Sequence, residues 1–369
     1  MLRWLLKTLW RQRLSLLASA GGIAGAFTLV VILDAVFVGE STQVVSYLRH
    51  MNADVWVMQR GVGNMHMASS FVWDWKVDRI ALVPGVRRAT PILYAGATVN
   101  ANGRNWLTFL VGLLPDGARA GPWSLASGKP VPAPGEIVLP RVYAEMNGVA
   151  LGDTVRVRDL RLRVVGLSEG TFSMGNSVAF LAFSDLADLF SITGTVSYIL
   201  VDAEPGTDPV ALAPRIEREV EKVSALPQED FIRNDFQLAM LMGVEIIFFM
   251  TVIGSALATL IIAFTAYSQV TQRRRELAIA KALGMRNRAI YLAVLAQTLI
   301  ITALGFALAL LAAWGLFPAL SAAVPQITLV VTPTALVRTG VLALLVALAA
   351  ALVPAHLVNR VDPQTVFRV

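Results

Sequence analysis

IIFFMTVIGSALATLIIAFTAYSQVTQ, residues Ile246 to Gln272, carries no charged side chain, and RRRELAIAKALGMRNR, residues Arg273 to Arg288, follows it at once. At about 1.5 Å per residue, some 20 helical residues cross a hydrocarbon core of about 30 Å. The first stretch is therefore long enough to span a bilayer, and the second is the basic stop that keeps its end in water. Three more stretches share this character. Leu14 to Leu33 is uncharged, and apolar sequence fills Ala289 to Phe317 and Thr334 to His356. Pro318, Pro325 and Pro333 lie between the last two and are expected to break helical continuity there.

The composition agrees. Of 369 residues, 56% are hydrophobic and 15% charged, against about 25% charged in soluble domains. The net charge is +6, and its distribution follows the ends of the apolar stretches. Arg3, Lys7, Arg11 and Arg13 precede the first, six basic residues from Arg273 to Arg288 follow the second, and Arg360 and Arg368 follow the fourth. The positive-inside rule then puts both termini and the arginine-rich loop in the cytoplasm and the long segment after the first span outside. No nucleic-acid-binding signature accompanies the charge. Leu2, Leu5, Leu6 and Leu9 share a helical face in the N-terminal prelude, the pattern of a helix lying in the membrane surface, although a plain extension of the first span fits as well. The N-terminus reads as a retained anchor rather than a cleaved signal. Gly21, Gly22 and Gly25 would let a second helix approach.

Residues 38–237 have ordinary soluble composition, enough for two subdomains. VRRATPILYAGATVN (Val86–Asn100), TVRVRDLRLRVVGL (Thr154–Leu167) and VSYILVDA (Val196–Ala203) are strand-like. Turns are marked at Pro84-Gly85, Asn102-Gly103, Pro134-Gly135 and Gly152-Asp153. Helices are expected over Ser70–Leu82, Pro140–Met146 and Pro209–Val223, and residues 235–268 are expected to form one rod of about 50 Å.

Tests for chemistry exclude most enzymes. There is no cysteine, no G-x-x-x-x-G-K-[ST] phosphate loop, no H-E-x-x-H and no G-x-S-x-G. Met65-His66-Met67 reads as a packing loop rather than a soft-metal site. No catalytic, cofactor or metal residue is assigned. Asp34 and Glu245 are the carboxylates nearest the membrane. Both fit interfacial positions, and a sharper reading places them together at an external portal.

QVTQRRRELAIAKALGMRNRAIY (Gln269–Tyr291) forms a short amphipathic helix, with Leu277, Ala280 and Leu283 on one face and Gly284 suited to its end. It resembles the cytoplasmic coupling segment of MacB/FtsX-like ABC transporter permeases, R-x-x-E-[IL]-x-[IV]-x-[KR]-A-[LI]-G, at Arg273, Glu276, Leu277, Ile279, Lys281, Ala282, Leu283 and Gly284. PAHLVNRVDPQTVFR is similar to the family's C-terminal ending at Pro354, Ala355, Arg360, Asp362, Pro363 and Arg368. GEIVLPRVYAEMNGVALGDTVRV (Gly135–Val157) followed by LRVVGL (Leu162–Leu167) resembles its external-domain core. NADVWVMQRG (Asn52–Gly61) and GPWSLASGKP (Gly121–Pro130) look most like the subgroup of the heterocyst glycolipid exporter permease DevC.

The resemblance implies an α-helical membrane protein with four transmembrane helices and an α+β extracytoplasmic domain inserted between the first and second, in the bacterial inner (cytoplasmic) membrane. The expected plan is an interfacial helix at 1–13, spans at 14–37, 238–268, 289–317 and 334–358, the periplasmic domain at 38–237, the coupling loop at 269–288, a short external loop at 318–333 and a cytoplasmic tail at 359–369. It implies docking on a separate ATPase, two copies of which bind ATP and Mg, through Arg273, Arg274, Arg275, Glu276, Leu277, Ala280, Lys281, Leu283 and Gly284. It further implies a dimer, an extracytoplasmic adaptor, contact with membrane lipid, and export or extraction of an amphipathic substrate (lipid, lipoprotein, peptide or drug) by mechanotransmission. The competing expectation is a non-transporting member that regulates an extracytoplasmic partner such as a cell-wall hydrolase.

Overall fold

A computed structural model describes residues 13–241, 245–272 and 274–359. The chain divides into two compact units. One is an α+β unit of Gly39–Val244 with Val324–Thr328; the other is helical and takes Met1–Val38, Glu245–Ala323 and Leu329–Val369. In chain order the elements are α1 (Arg13–Val44), α2 (Ser46–Met51), β1 (Val55–Gln59), β2 (Val72–Trp73), α3 (Trp75–Ala81), β3 (Val86–Ala101), β4 (Arg104–Leu113), β5 (Leu125–Gly128), β6 (Glu136–Pro140), α4 (Arg141–Asn147), β7 (Thr154–Val157), β8 (Leu160–Ser168) and β9 (Val178–Ala182). There follow α5 (Phe183–Phe190), β10 (Thr195–Val196), β11 (Tyr198–Ala203), α6 (Pro209–Glu219), β12 (Val223–Pro227), α7 (Gln228–Ala239), α8 (Glu245–Gln272), α9 (Arg274–Ala282), α10 (Asn287–Ala323) and α11 (Pro333–Asn359).

In the α+β unit the long strand β3 belongs to two sheets. Its first half pairs with β11, Val201 opposite Ala89 and Tyr198 opposite Ile92. Its second half pairs with β4, from Leu93 opposite Gly112 to Ala101 opposite Arg104, and with β7, Val99 opposite Val157. On one side the order continues β11–β1–β12, all antiparallel. On the other it runs β4–β9–β6–β8–β7, and β7 returns to β3, so these strands close into a ring. The two-residue Asn102-Gly103 turn, with φ of +49° and +80°, joins β3 to β4, as a hairpin twist of this hand requires.

Alternation decides what each strand buries. Val55 and Val57 of β1 face Ile80 of α3 and Leu212 and Ile216 of α6. Trp56 and Met58 face the other way, toward Leu48 of α2 and Phe231 of α7, and the Trp56 and Phe231 rings lie 5.3 Å apart. The ring has its own core of Val99, Leu110, Leu139, Val157, Leu162 and Leu181, plugged by Tyr143 of α4, whose hydroxyl donates to the Val99 carbonyl at 3.1 Å.

Two expected helices are shorter here. Within Ser70–Leu82 only α3 is helical, because Trp73 pairs with Thr195 and the Asp74 N–H donates to the Gly194 carbonyl. Within Pro209–Val223, α6 ends at Glu219, because Val223 opens β12 against Gln59 of β1.

The helical unit packs α1, α8, α10 and α11 on one another through Ile23, Phe27, Ala258, Ile262, Ile301, Ala309, Ala343 and Val346. Phe27 meets Phe306 edge to face at 5.6 Å. The closest approach falls at Gly305, where an added Cβ would meet Ile23 Cβ at 2.8 Å. Of the glycines singled out in α1, Gly22 faces Ile261 at 3.8 Å, whereas Gly21 and Gly25 have nothing within 4 Å. Leu260, Phe264 and Trp314 are exposed, so the unit is apolar outside as well as within, which suits lipid rather than water. Leu17–Val44, Glu245–Gln272 and Arg288–Ala323 are each long and apolar enough to cross a membrane.

Two expectations meet a difference in the helices, and a third crosses residues outside those described. α1 runs on past residue 37 to Val44. The expected rod over 235–268 crosses residues 242–244, which lie outside the described residues, with α7 before them and α8 after. Pro318 does not break α10, which passes through it to Ala323. An interior proline costs about 3 kcal/mol, a cost that membrane helices tolerate through neighbouring contacts. The break falls at Val324-Pro325, and Pro333 opens α11 at the first helical position, where its missing N–H is harmless. Within the α+β unit, the buried Glu40 carboxylate accepts from the Thr328 N–H at 2.9 Å.

Two residues of the Gly135–Leu167 region test this packing. A Cβ on Gly166 would run into the Lys129 carbonyl and come within 3.1 Å of Val138. Gly166→Ala is expected to cost about 1–3 kcal/mol, seen as a lowered melting temperature of the purified chain. Hydrogen bonds from Lys129, from the Ala133 N–H and from Arg163 hold the Glu136 carboxyl down to about 2, against an ordinary 4.5. A depressed carboxyl stabilises the fold above its unfolded pKa and loses that effect as pH falls through its folded one. The melting advantage of the wild type over Glu136→Gln is therefore expected in full at pH 6 and to shrink between pH 4.5 and 2.

Candidate functional site

The helical unit holds one arginine that sequence reading passed over. Between Arg288 and Arg360 the only charged residue is Arg338, and its position in the second turn of α11 was the available signal. Its Nη2 donates to Asp34 Oδ1 of α1. The Asp34 side chain is 9% exposed and that of Arg338 56%. The guanidinium also lies over the Phe37 ring, 5.9 Å from its centre. The pair borders a cavity of about 420 Å³ between α1, α8 and α11, walled by Val30, Phe37, Phe248, Val252, Val341 and Leu345. The Thr251, Ser255 and Thr339 hydroxyls at its edge donate to carbonyls of their own helices. Glu245, for which the sequence leaves both an interfacial position and a portal shared with Asp34 open, is exposed on the first turn of α8 and does not line this cavity. The partner of Asp34 is Arg338.

At the other end of α8 a tight connection forms a second feature. Val270 of α8 packs on Ile290 and Val294 of α10, and α9 fills the loop between them. The Leu283 N–H donates to the Ile279 carbonyl and the Gly284 N–H to that of Lys281, each at 3.0 Å. Gly284 takes φ +89°, the left-handed end that glycine adopts without a Cβ penalty. Ala278 is 1% exposed, whereas Ile279 is 44% and Leu283 83% exposed. Arg275 and Glu276 are exposed, and Lys281 is half-buried. The helix thus turns a small residue inward and presents an apolar pair with charges beside it. Arg273 lies outside the described residues, as do the interfacial prelude through residue 12 and the tail from Arg360 on; Arg274, Leu277 and Ala280 are placed on α9 by backbone alone.

In the Met65-His66-Met67 segment of the α+β unit, Met65 is buried and Met67 is exposed. Fully buried Asp235 of α7 accepts from the Met65 N–H at 2.9 Å and the His66 N–H at 3.2 Å, and pairs with His66 Nδ1 at 2.6 Å. Among the described residues no group of three His, Cys, Asp or Glu is arranged to hold a metal.

Residues 15–219 match the family model of the MacB-like periplasmic core domain, and residues 248–363 that of the FtsX-like permease C-terminal region. An uncharacterized ABC transporter permease of Mycobacterium tuberculosis H37Rv is 25% identical over 338 residues, covering 90% of this chain and 91% of its own. Another, from Mycobacterium bovis, is 23% identical over 364 residues, covering 97% and 96%. The crystal structure of the periplasmic region of MacB from Actinobacillus actinomycetemcomitans aligns with 52% of this chain and 96% of its own, at 10% identity and a TM-score of 0.39.

Removing one member of the Asp34–Arg338 pair strands the other in apolar surroundings. Arg338→Met is expected to lose about 3 kcal/mol of stability. The double variant Asp34→Leu with Arg338→Met is expected to recover most of that, as read by thermal unfolding in a neutral detergent.

Proposed function

The chain belongs to the MacB/FtsX-like ABC transporter permeases, and from that premise we propose that it couples ATP hydrolysis by a separate ATPase to export or extraction of an amphipathic substrate. The observation that carries the reading is α9: a short helix between two long apolar ones, closed by a left-handed glycine, with Ile279 and Leu283 turned outward beside Arg275 and Glu276. Such a face suits a groove on a partner protein, where an apolar anchor supplies affinity and flanking charges fix register. Two ATPase copies would bind ATP and Mg and dock on the two α9 helices of a permease dimer.

In this reading α1, α8, α10 and α11 are four transmembrane helices, both termini and α9 are cytoplasmic, and the α+β unit is extracytoplasmic in the inner membrane. ATP-driven closure would move helices and the α+β unit together, with membrane lipid around the helices and an adaptor on the α+β unit. The DevC-like subgroup rests on Asn52–Gly61 and Gly121–Pro130 alone.

Glu276→Lys reverses the charge beside the apolar pair, and Gly284→Val forces a β-branched residue into φ +89°. Each is expected to weaken docking tenfold or more, about 1.4 kcal/mol, and to abolish substrate-stimulated ATPase activity of the co-purified complex while the α+β unit stays folded. Normal stimulated activity in both variants would refute the assignment of α9. Co-purification of a stoichiometric ATPase with a cell-wall hydrolase and no small molecule would favour the regulatory reading instead.

A further inference from the structure

We propose that the cavity between α1, α8 and α11 binds an anionic amphiphile, with Arg338 as the contact for its acidic headgroup. The inference rests on the export reading, since it specifies the chemistry of the cargo.

Arginine carries five N–H donors in a planar fork and cannot be deprotonated. Its bond to Asp34 is made by Nη2, and more than half of the side chain remains exposed. Asp34 does the opposite job. It is nearly buried, so it holds the guanidinium in place without presenting a strong negative surface. The exposed part of the guanidinium therefore borders a space whose walls, Phe37, Phe248, Val252 and Leu345 among them, are mostly apolar. The Thr251, Ser255 and Thr339 hydroxyls at its edge donate to carbonyls of their own helices. Donors kept in apolar surroundings are costly, and ionisable groups within membrane spans mark functional sites. A phosphate, sulfate or carboxylate would fit the guanidinium edge in two parallel bonds.

The rest of the cavity selects for more than charge. Its volume, about 420 Å³, lies within the roughly 300–1,000 Å³ of small-molecule pockets, and its aromatic and aliphatic lining suits an alkyl chain. The ion pair as a whole is neutral, so a free anion gains little by leaving water. An acidic group attached to an apolar chain satisfies both halves of the site.

The test uses the full chain in dodecyl maltoside, titrated with dodecyl phosphate, with dodecanol and inorganic phosphate as the two half-ligands, and read by native mass spectrometry and calorimetry. Dodecyl phosphate is expected to bind at least tenfold tighter than either half. Arg338→Gln, which keeps an amide donor toward Asp34, is expected to lose that tenfold. Asp34→Asn is expected to bind as tightly as the wild type or tighter, because it removes the competing carboxylate. A merely structural ion pair would make both variants lose binding together, and that result overturns the proposal, as does equal binding of dodecanol. Arg338-dependent binding without stimulation of the partner ATPase would uphold the site and count against export. Stimulation by a substrate indifferent to Arg338→Gln would uphold export and overturn the site.

Discussion

Hydrocarbon offers a peptide group nothing to bond with, and that constraint organises the helical unit. Backbone polar groups must be satisfied within the segment, so the apolar stretches are helices. The same constraint makes every departure from apolar sequence conspicuous. Arg338 is tolerable because Asp34 and the face of Phe37 meet it. Pro318 is tolerable because one missing backbone bond does not end a long helix. In the α+β unit water removes the constraint, and a different economy applies: strands alternate, and one long strand serves two sheets.

That difference explains what could be read in advance. The apolar helices were legible because their signal is composition over some twenty residues, which tertiary context barely alters. The turns at Gly85, Asn102-Gly103, Gly135 and Gly152 were legible because each requires a positive φ. Gly284 announced the end of α9 for the same reason. The sharing of β3 between sheets was not legible, since both halves of Val86–Ala101 alternate alike and nothing local says which partner each half takes. Local propensity also failed at Ser70–Asp74, where β10 and Gly194 claim backbone groups that a longer helix would have used.

The charged pair shows the limit most clearly. Asp34 could be found as an acid near a span, but its partner Arg338 lies some three hundred residues away, and only three-dimensional packing brings the two together. Charge alone favours the arginine, because two carboxylates side by side repel, whereas a carboxylate and a guanidinium stabilise each other in a low dielectric. The face of α9 was half legible. Leu283, grouped in sequence with Leu277 and Ala280, is exposed, and so is Ile279 one turn earlier.

The α+β unit is not one continuous segment. Val324–Thr328 belongs to it as well as Gly39–Val244, and the Thr328 N–H meets Glu40 there. A chimera that exchanged only the long insertion between two relatives would therefore leave a piece of the donor's fold behind and strand a buried carboxylate without its backbone donor. The natural module for transplantation is discontinuous, with a splice in the connection between α10 and α11 as well as at the two ends of the insertion.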